Sequence, residues 1–168
     1  VNAKALTVAR KTQALADPSA YSPVEIAFRN RTETVGDYVV RAITAAHSIV
    51  APNGATLGFA AAEAGSIYIY ECDNGTIRET GLIKKALLDE SRLHNTTAIS
   101  ATADADNVLY TTTAMTNAAV RLTGRLDITT GAVAGEWDNE DTRVTLWTPS
   151  VGHRSDYVTF NNASPGTT

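Results

Sequence analysis

A short run of strict alternation followed by a turn leaves this chain few folds to choose from. In Ser66-Ile67-Tyr68-Ile69-Tyr70-Glu71-Cys72 the isoleucines fall on one parity and the tyrosines on the other, and Asn74-Gly75 comes directly after. A period of two separates the two faces of an extended strand and gathers nothing on a helix. Asn-Gly accepts positive φ at little cost, so the pattern predicts a hairpin over 66–84 with both turn residues left-handed. Further runs rich in β-branched and aromatic residues lie at 24–31, 38–44, 76–84, 108–113, 120–129, 143–148 and 157–160. Turn signals separate them, among them Pro52-Asn53-Gly54 and Gly131. Only 84–91, KKALLDES, reads as helix, and for two turns at most. Some eight short antiparallel strands predict an all-β fold, an antiparallel β-sandwich of jelly-roll or Greek-key type.

The material for its core is lean. Of 168 residues, 27 are Ala and 24 Thr, whereas Leu, Ile, Val and Phe together number 36. A net charge of -4 is too small to hold such a chain open, so it is read as folded, with burial completed by neighbouring subunits. No apolar run reaches the roughly 20 residues of a membrane helix, and the amino end shows no leader pattern, so neither membrane nor targeting address is expected. A lone Cys72 makes neither an internal disulfide nor a thiolate cage. Residues 1–50 carry six basic and four acidic side chains, the remainder eight and fourteen. That distribution lacks the clustered basic face of a nucleic-acid binder.

Residues 1–22 show no firm period and contain Pro18, and are read as an extended N-terminal arm; 23–160 form the sandwich and 161–168 a flexible tail. Lys4, Leu6, Val8, Arg10 and Lys11 are the arm's expected partner contacts, by strand addition to a neighbour. Tyr68 and Tyr70, on the face opposite Ile67 and Ile69, and Trp137 are further candidate contacts, although a strand buried on both sides is equally compatible with the tyrosines.

Motifs that carry chemistry are lacking. His47, His94 and His153 are widely separated, and neither a nucleophile elbow nor a phosphate loop is present. Acidic clusters at Asp104-Ala105-Asp106 and at Glu136, Asp138, Glu140 and Asp141 are read as solvated loops rather than calcium sites, because the remaining ligands of a calcium loop are missing. No cofactor, no metal and no catalytic residue is expected.

The phrases Pro52-Asn53-Gly54-Ala55-Thr56-Leu57-Gly58, Gly65-Ser66-Ile67-Tyr68-Ile69-Tyr70, Thr96-Thr97-Ala98-Ile99-Ser100, Tyr110-Thr111-Thr112-Thr113-Ala114 and Val120-Arg121-Leu122-Thr123-Gly124-Arg125-Leu126 run in order through 24–140. Together this stretch resembles a module of tailed-bacteriophage virion proteins found in head decoration and tail fibres. The resemblance implies a small β-sandwich, typically a homotrimer, that assembles on a virus particle. The charged stretch 84–92 and the short amino end depart from that pattern. The function expected is a non-enzymatic capsid decoration, or cement, subunit located in the virion, its partner the major capsid protein or another virion protein. The alternative is a tail-fibre module recognising host glycans; a carbohydrate-active enzyme is a distant third.

Overall fold

The computed structural model describes residues 5–12, 14, 16–32, 36–86 and 89–137, and the backbone of 143–145 and 157–160. Eleven strands are described: β1 (Leu6–Lys11), β2 (Val24–Arg29), β3 (Tyr38–Ile43), β4 (His47–Ala51), β5 (Ala64–Asp73), β6 (Arg78–Ile83), β7 (Thr97–Ala98), β8 (Tyr110–Thr111), β9 (Ala119–Thr129), β10 (Arg143–Thr145) and β11 (Tyr157–Phe160). The fold is all-β, with no helix among the described residues. One sheet orders β11-β1-β4, a second β10-β9-β5-β6-β8-β7, and β2 with β3 forms a two-stranded ribbon. Every pairing is antiparallel except β7 with β8.

The main core lies where the three-stranded and six-stranded sheets meet. Leu6 and Val8 of β1 and Ile49 and Ala51 of β4 pack with Ile67 and Ile69 of β5, Leu82 of β6, and Leu126 and Ile128 of β9. This places the amino-terminal segment differently from the arm expected above. Strand β1 is the middle strand of its sheet, paired to β4 from Leu6↔Ala51 to Arg10↔His47 and to β11 on its other side. Leu6, Val8 and Arg10 point inward in strict alternation. The period was hidden because its third inward member is an arginine, which breaks the apolar pattern although not the geometry. The boundary between arm and domain at residue 22 therefore falls away. The expected tail, 161–168, lies outside the described residues.

The second face of β5 is also buried. Tyr70 and Cys72 pack with Ile83 of β6, Val120 of β9, and Leu109, Met115 and Ala118 from the segment between β6 and β9. Strand β9 serves both cores through a bulge. Its register with β5 steps from Ile69↔Gly124 to Tyr70↔Leu122, leaving Thr123 as the extra residue. Even-numbered Val120 and Leu122 therefore join the second core while even-numbered Leu126 and Ile128 join the first. Uniform alternation along 120–129 would have left one face wet.

Two local expectations change. The stretch 84–91 is not helical where it is described: Lys84 Nζ reaches the Gly58 carbonyl and Glu63, each at 2.7 Å, and the Lys85 N–H donates to the Asp106 carbonyl. These contacts take the chain off a helical path that two turns could not sustain alone. The 66–84 hairpin forms, but its loop has four residues, 74–77, and only Gly75 has positive φ, at 88°. Side chains build the turn: Asp73 Oδ1 accepts the Gly75 N–H at 2.9 Å, and Asn74 Oδ1 accepts from Thr76 and Ile77 at 3.0 and 2.9 Å.

A Cβ at Gly75 would meet the Arg31 guanidinium as well as left-handed strain. Gly75→Val is expected to lower unfolding free energy by about 1 kcal/mol or more. Equilibrium urea denaturation checks this, and a variant that unfolds like the parent would show the turn to be wrongly placed.

Candidate functional site

A cluster of ionisable groups sits inside the main core. The antiparallel register of β1 and β4 sets Arg10 beside His47, and that of β5 and β6 sets Glu71 beside Thr80. The two pairs face each other across the layer. Arg10 is 2% exposed and Glu71 fully buried. Arg10 Nη2 and Nε donate to Glu71 Oε1 at 2.9 and 3.3 Å, and Thr80 Oγ1 donates to the same oxygen at 2.9 Å. His47 Nε2 lies 2.8 Å from the other carboxylate oxygen. An ionised carboxylate only accepts, so Nε2 is the nitrogen that carries hydrogen there. The bulge residue completes the group: Arg10 Nη2 donates to Thr123 Oγ1 at 2.6 Å, and that hydroxyl donates to the Ile69 carbonyl at 3.2 Å.

Burial alone would push the Glu71 carboxyl up. The charge of Arg10 and the hydrogen bond and charge of His47 more than reverse this, holding it at about 2 against an ordinary 4.5. Both charges are thus retained in a place where an isolated ion could not stay. The result is an ionic tie between sheets, with three strands, β1, β4 and β6, contributing charge or hydroxyl to the β5 carboxylate and a fifth, β9, holding the guanidinium.

A second tie fastens the ribbon. Arg41 Nε of β3 donates to Asp73 Oδ2 of β5 at 3.0 Å, beneath the small core of Val24, Ile26, Phe28, Ile43 and Ala119. At the far end of the main core Trp137, 2% exposed, stacks edge-on against Phe59 at 6.0 Å, and Lys84 Nζ lies 4.3 Å above the Phe59 ring. The Trp137 indole N–H has no hydrogen-bond partner among the described residues.

Most of the expected contact residues therefore face inward. Leu6, Val8, Arg10, Tyr70 and Trp137 are interior; Lys11 is half-buried and paired with Asp17 at 2.5 Å; Tyr68 is half-buried beside the second core. Lys4, His153, Asp138, Glu140 and Asp141 lie outside the described residues. Asp106 is engaged by Lys85 at 2.6 Å, which lowers its pKa and occupies the carboxylate expected in the Asp104–Asp106 loop. The exposed large apolar side chains lie elsewhere, and Tyr21, Tyr38 and Val40 belong to the ribbon or its approach. In the sequence, the alternation of Tyr38, Val40 and Ala42 against Val39, Arg41 and Ile43 was the signal for this face, masked because both parities of β3 are largely apolar.

No known family model, curated protein or solved structure matches the chain.

Because the folded carboxyl of Glu71 titrates below the unfolded one, its stabilisation is complete above about pH 5 and disappears as pH falls toward about 2, a loss of about 3 kcal/mol. Glu71→Gln should remove this acid-dependent limb and, by leaving Arg10 buried without its counter-charge, cost about 3–5 kcal/mol at neutral pH. Urea denaturation at several pH values tests both, and parent-like stability at neutral pH would contradict the tie.

Proposed function

We propose that this chain is a non-enzymatic structural protein of a tailed-bacteriophage virion, a capsid decoration subunit that binds the outer shell and stiffens it. In this reading the two sheets that share the main core are the layers of a β-sandwich of jelly-roll or Greek-key type. The observation that carries it is the disposition of polar and apolar groups. The ionisable cluster of Arg10, Glu71 and His47 is turned inward and mutually satisfied, while Tyr38 and Val40 are turned outward on an open ribbon. Such a chain devotes its charges to rigidity and its exposed apolar surface to association. The order of phrases through 24–140 points the same way. Strand β1 belongs to the fold, so attachment by an arm of residues 1–22 gives way to attachment by the folded surface, with the major capsid protein as partner.

A second reading, a tail-fibre module binding host glycans, is favoured by the fully exposed ring of Tyr21 and the 66% exposed Tyr38, since tyrosines offer flat faces to sugars.

Co-sedimentation separates the two readings. The intact protein is expected to pellet with undecorated capsids of its source phage, in hundreds of copies per shell by order of magnitude if subunits cover the lattice. Failure to bind capsids together with saturable binding to host cells would replace decoration by receptor recognition.

A further inference from the structure

The ribbon's open edge has a defined hydrogen-bonding phase. The Asn30 N–H donates to the Asp37 carbonyl at 2.8 Å, and this pair continues the register Arg29↔Tyr38 through Val24↔Ile43. In an antiparallel ladder, hydrogen-bonded pairs alternate with non-bonded ones. Asp37, Val39, Arg41 and Ile43 therefore direct their backbone groups at β2, and Tyr38, Val40 and Ala42 direct theirs away from it. Among the described strands nothing pairs with that outer edge. Tyr38 at 66% and Val40 at 48% exposure stand on the same outward parity, with Ala42 also exposed. Natural edge strands are guarded by lysine, proline, a bulge or an inward-pointing charge, and of these β3 has only the last. Its single charge, Arg41, is held on the other face by Asp73.

From this we infer that the β3 edge is an interface for a second copy of this chain, pairing β3 with β3 antiparallel about a two-fold axis at Val40. The strand is complementary to itself in that register and in phase. Val40 meets Val40, and the Tyr38 ring of each copy lies opposite the Ala42 methyl of the other, bulky against small on both flanks. Val39 meets Arg41, so no like charges are opposed. Two hydrogen bonds join the Val40 pair, and each Ala42 N–H donates to the Tyr38 carbonyl across the axis. The Tyr38 N–H keeps its bond to Asp37 Oδ1 at 2.8 Å. On the outer face each row of the resulting four-stranded sheet runs Glu25, Ala42, Tyr38, Arg29, acidic at one end and basic at the other. A two-stranded ribbon is marginal on its own, and doubling it to four strands supplies the missing neighbours. The contact is isologous and closes at two subunits, in place of the trimer that the family resemblance implies. It stands independently of the decoration reading.

Sedimentation equilibrium of the purified full chain tests it without any capsid. The parent is expected to show twice the mass of one chain at tens of micromolar and to dissociate on dilution, with the Val40 and Ala42 amides protected from hydrogen exchange only in the associated form. Val40→Lys sets two ammonium groups opposite each other and should weaken association at least about tenfold. Val40→Thr, isosteric and uncharged, should keep it. Circular dichroism and thermal melting of both variants confirm that the half-exposed site tolerates the change. A monomer at every concentration, a trimer, or amide protection independent of concentration would each overturn the proposal; the last would mean that the chain covers this edge itself.

Discussion

The contact between Arg10 and Glu71 sets the terms for the rest of the structure. A guanidinium and a carboxylate removed from water stabilise a fold only if their geometry is good and their remaining valences are met. Meeting them here takes β1 for the arginine, β5 for the glutamate, β4 and β6 for His47 and Thr80, and the β9 bulge for Thr123. A one-residue slip of β1 would turn Arg10 out of the layer and leave Glu71 buried without its guanidinium. The tie thereby fixes the relation between two sheets whose apolar contacts, rich in Ala and β-branched side chains, would tolerate several registers.

Strand β5 is the axis of this arrangement because both its faces are covered. One face supplies Ile67, Ile69 and Glu71 to the main core, and the other supplies Tyr70 and Cys72 to the second. A sheet of ordinary alternation could not line both layers with the even positions of β9, and the extra residue Thr123 is what permits it. The same residue hydrogen-bonds Arg10, so one irregularity in backbone register serves both packing and charge. Outside this double-cored body the β2–β3 ribbon is held by Arg41 and Asp73 and presents its second face outward.

Much of this was legible in the residues. Every run read as strand, from 24–31 to 157–160, contains a strand of the structure, because β-branched and aromatic residues alternate there and turn chemistry bounds them. The strands that escaped are β1, β4 and the two-residue β7. In β1 the third inward residue is Arg10, and β4 begins with His47, so the tie that organises the fold also erased its apolar signature. The apolar chemistry that makes Leu6, Val8, Tyr70 and Trp137 candidate contacts suits a core equally well, and only tertiary placement distinguishes the two. Tyr68 and Tyr70 do lie opposite Ile67 and Ile69, as their parity requires; what the parity could not convey is that segment 109–118 closes over their face.

A buried ion pair locks the amino-terminal strand into the interior, and native-state hydrogen exchange at single-amide resolution is the sharpest check of that lock. The amides of Val8, Ala9 and Arg10 are expected to exchange only through global unfolding, with protection equal to that of Ile67 and Ile69 in β5, and Glu71→Gln to lower both sets together. Exchange of β1 at the rate of an unstructured segment, while β5 stays protected, would contradict it and return residues 1–22 to the status of an arm.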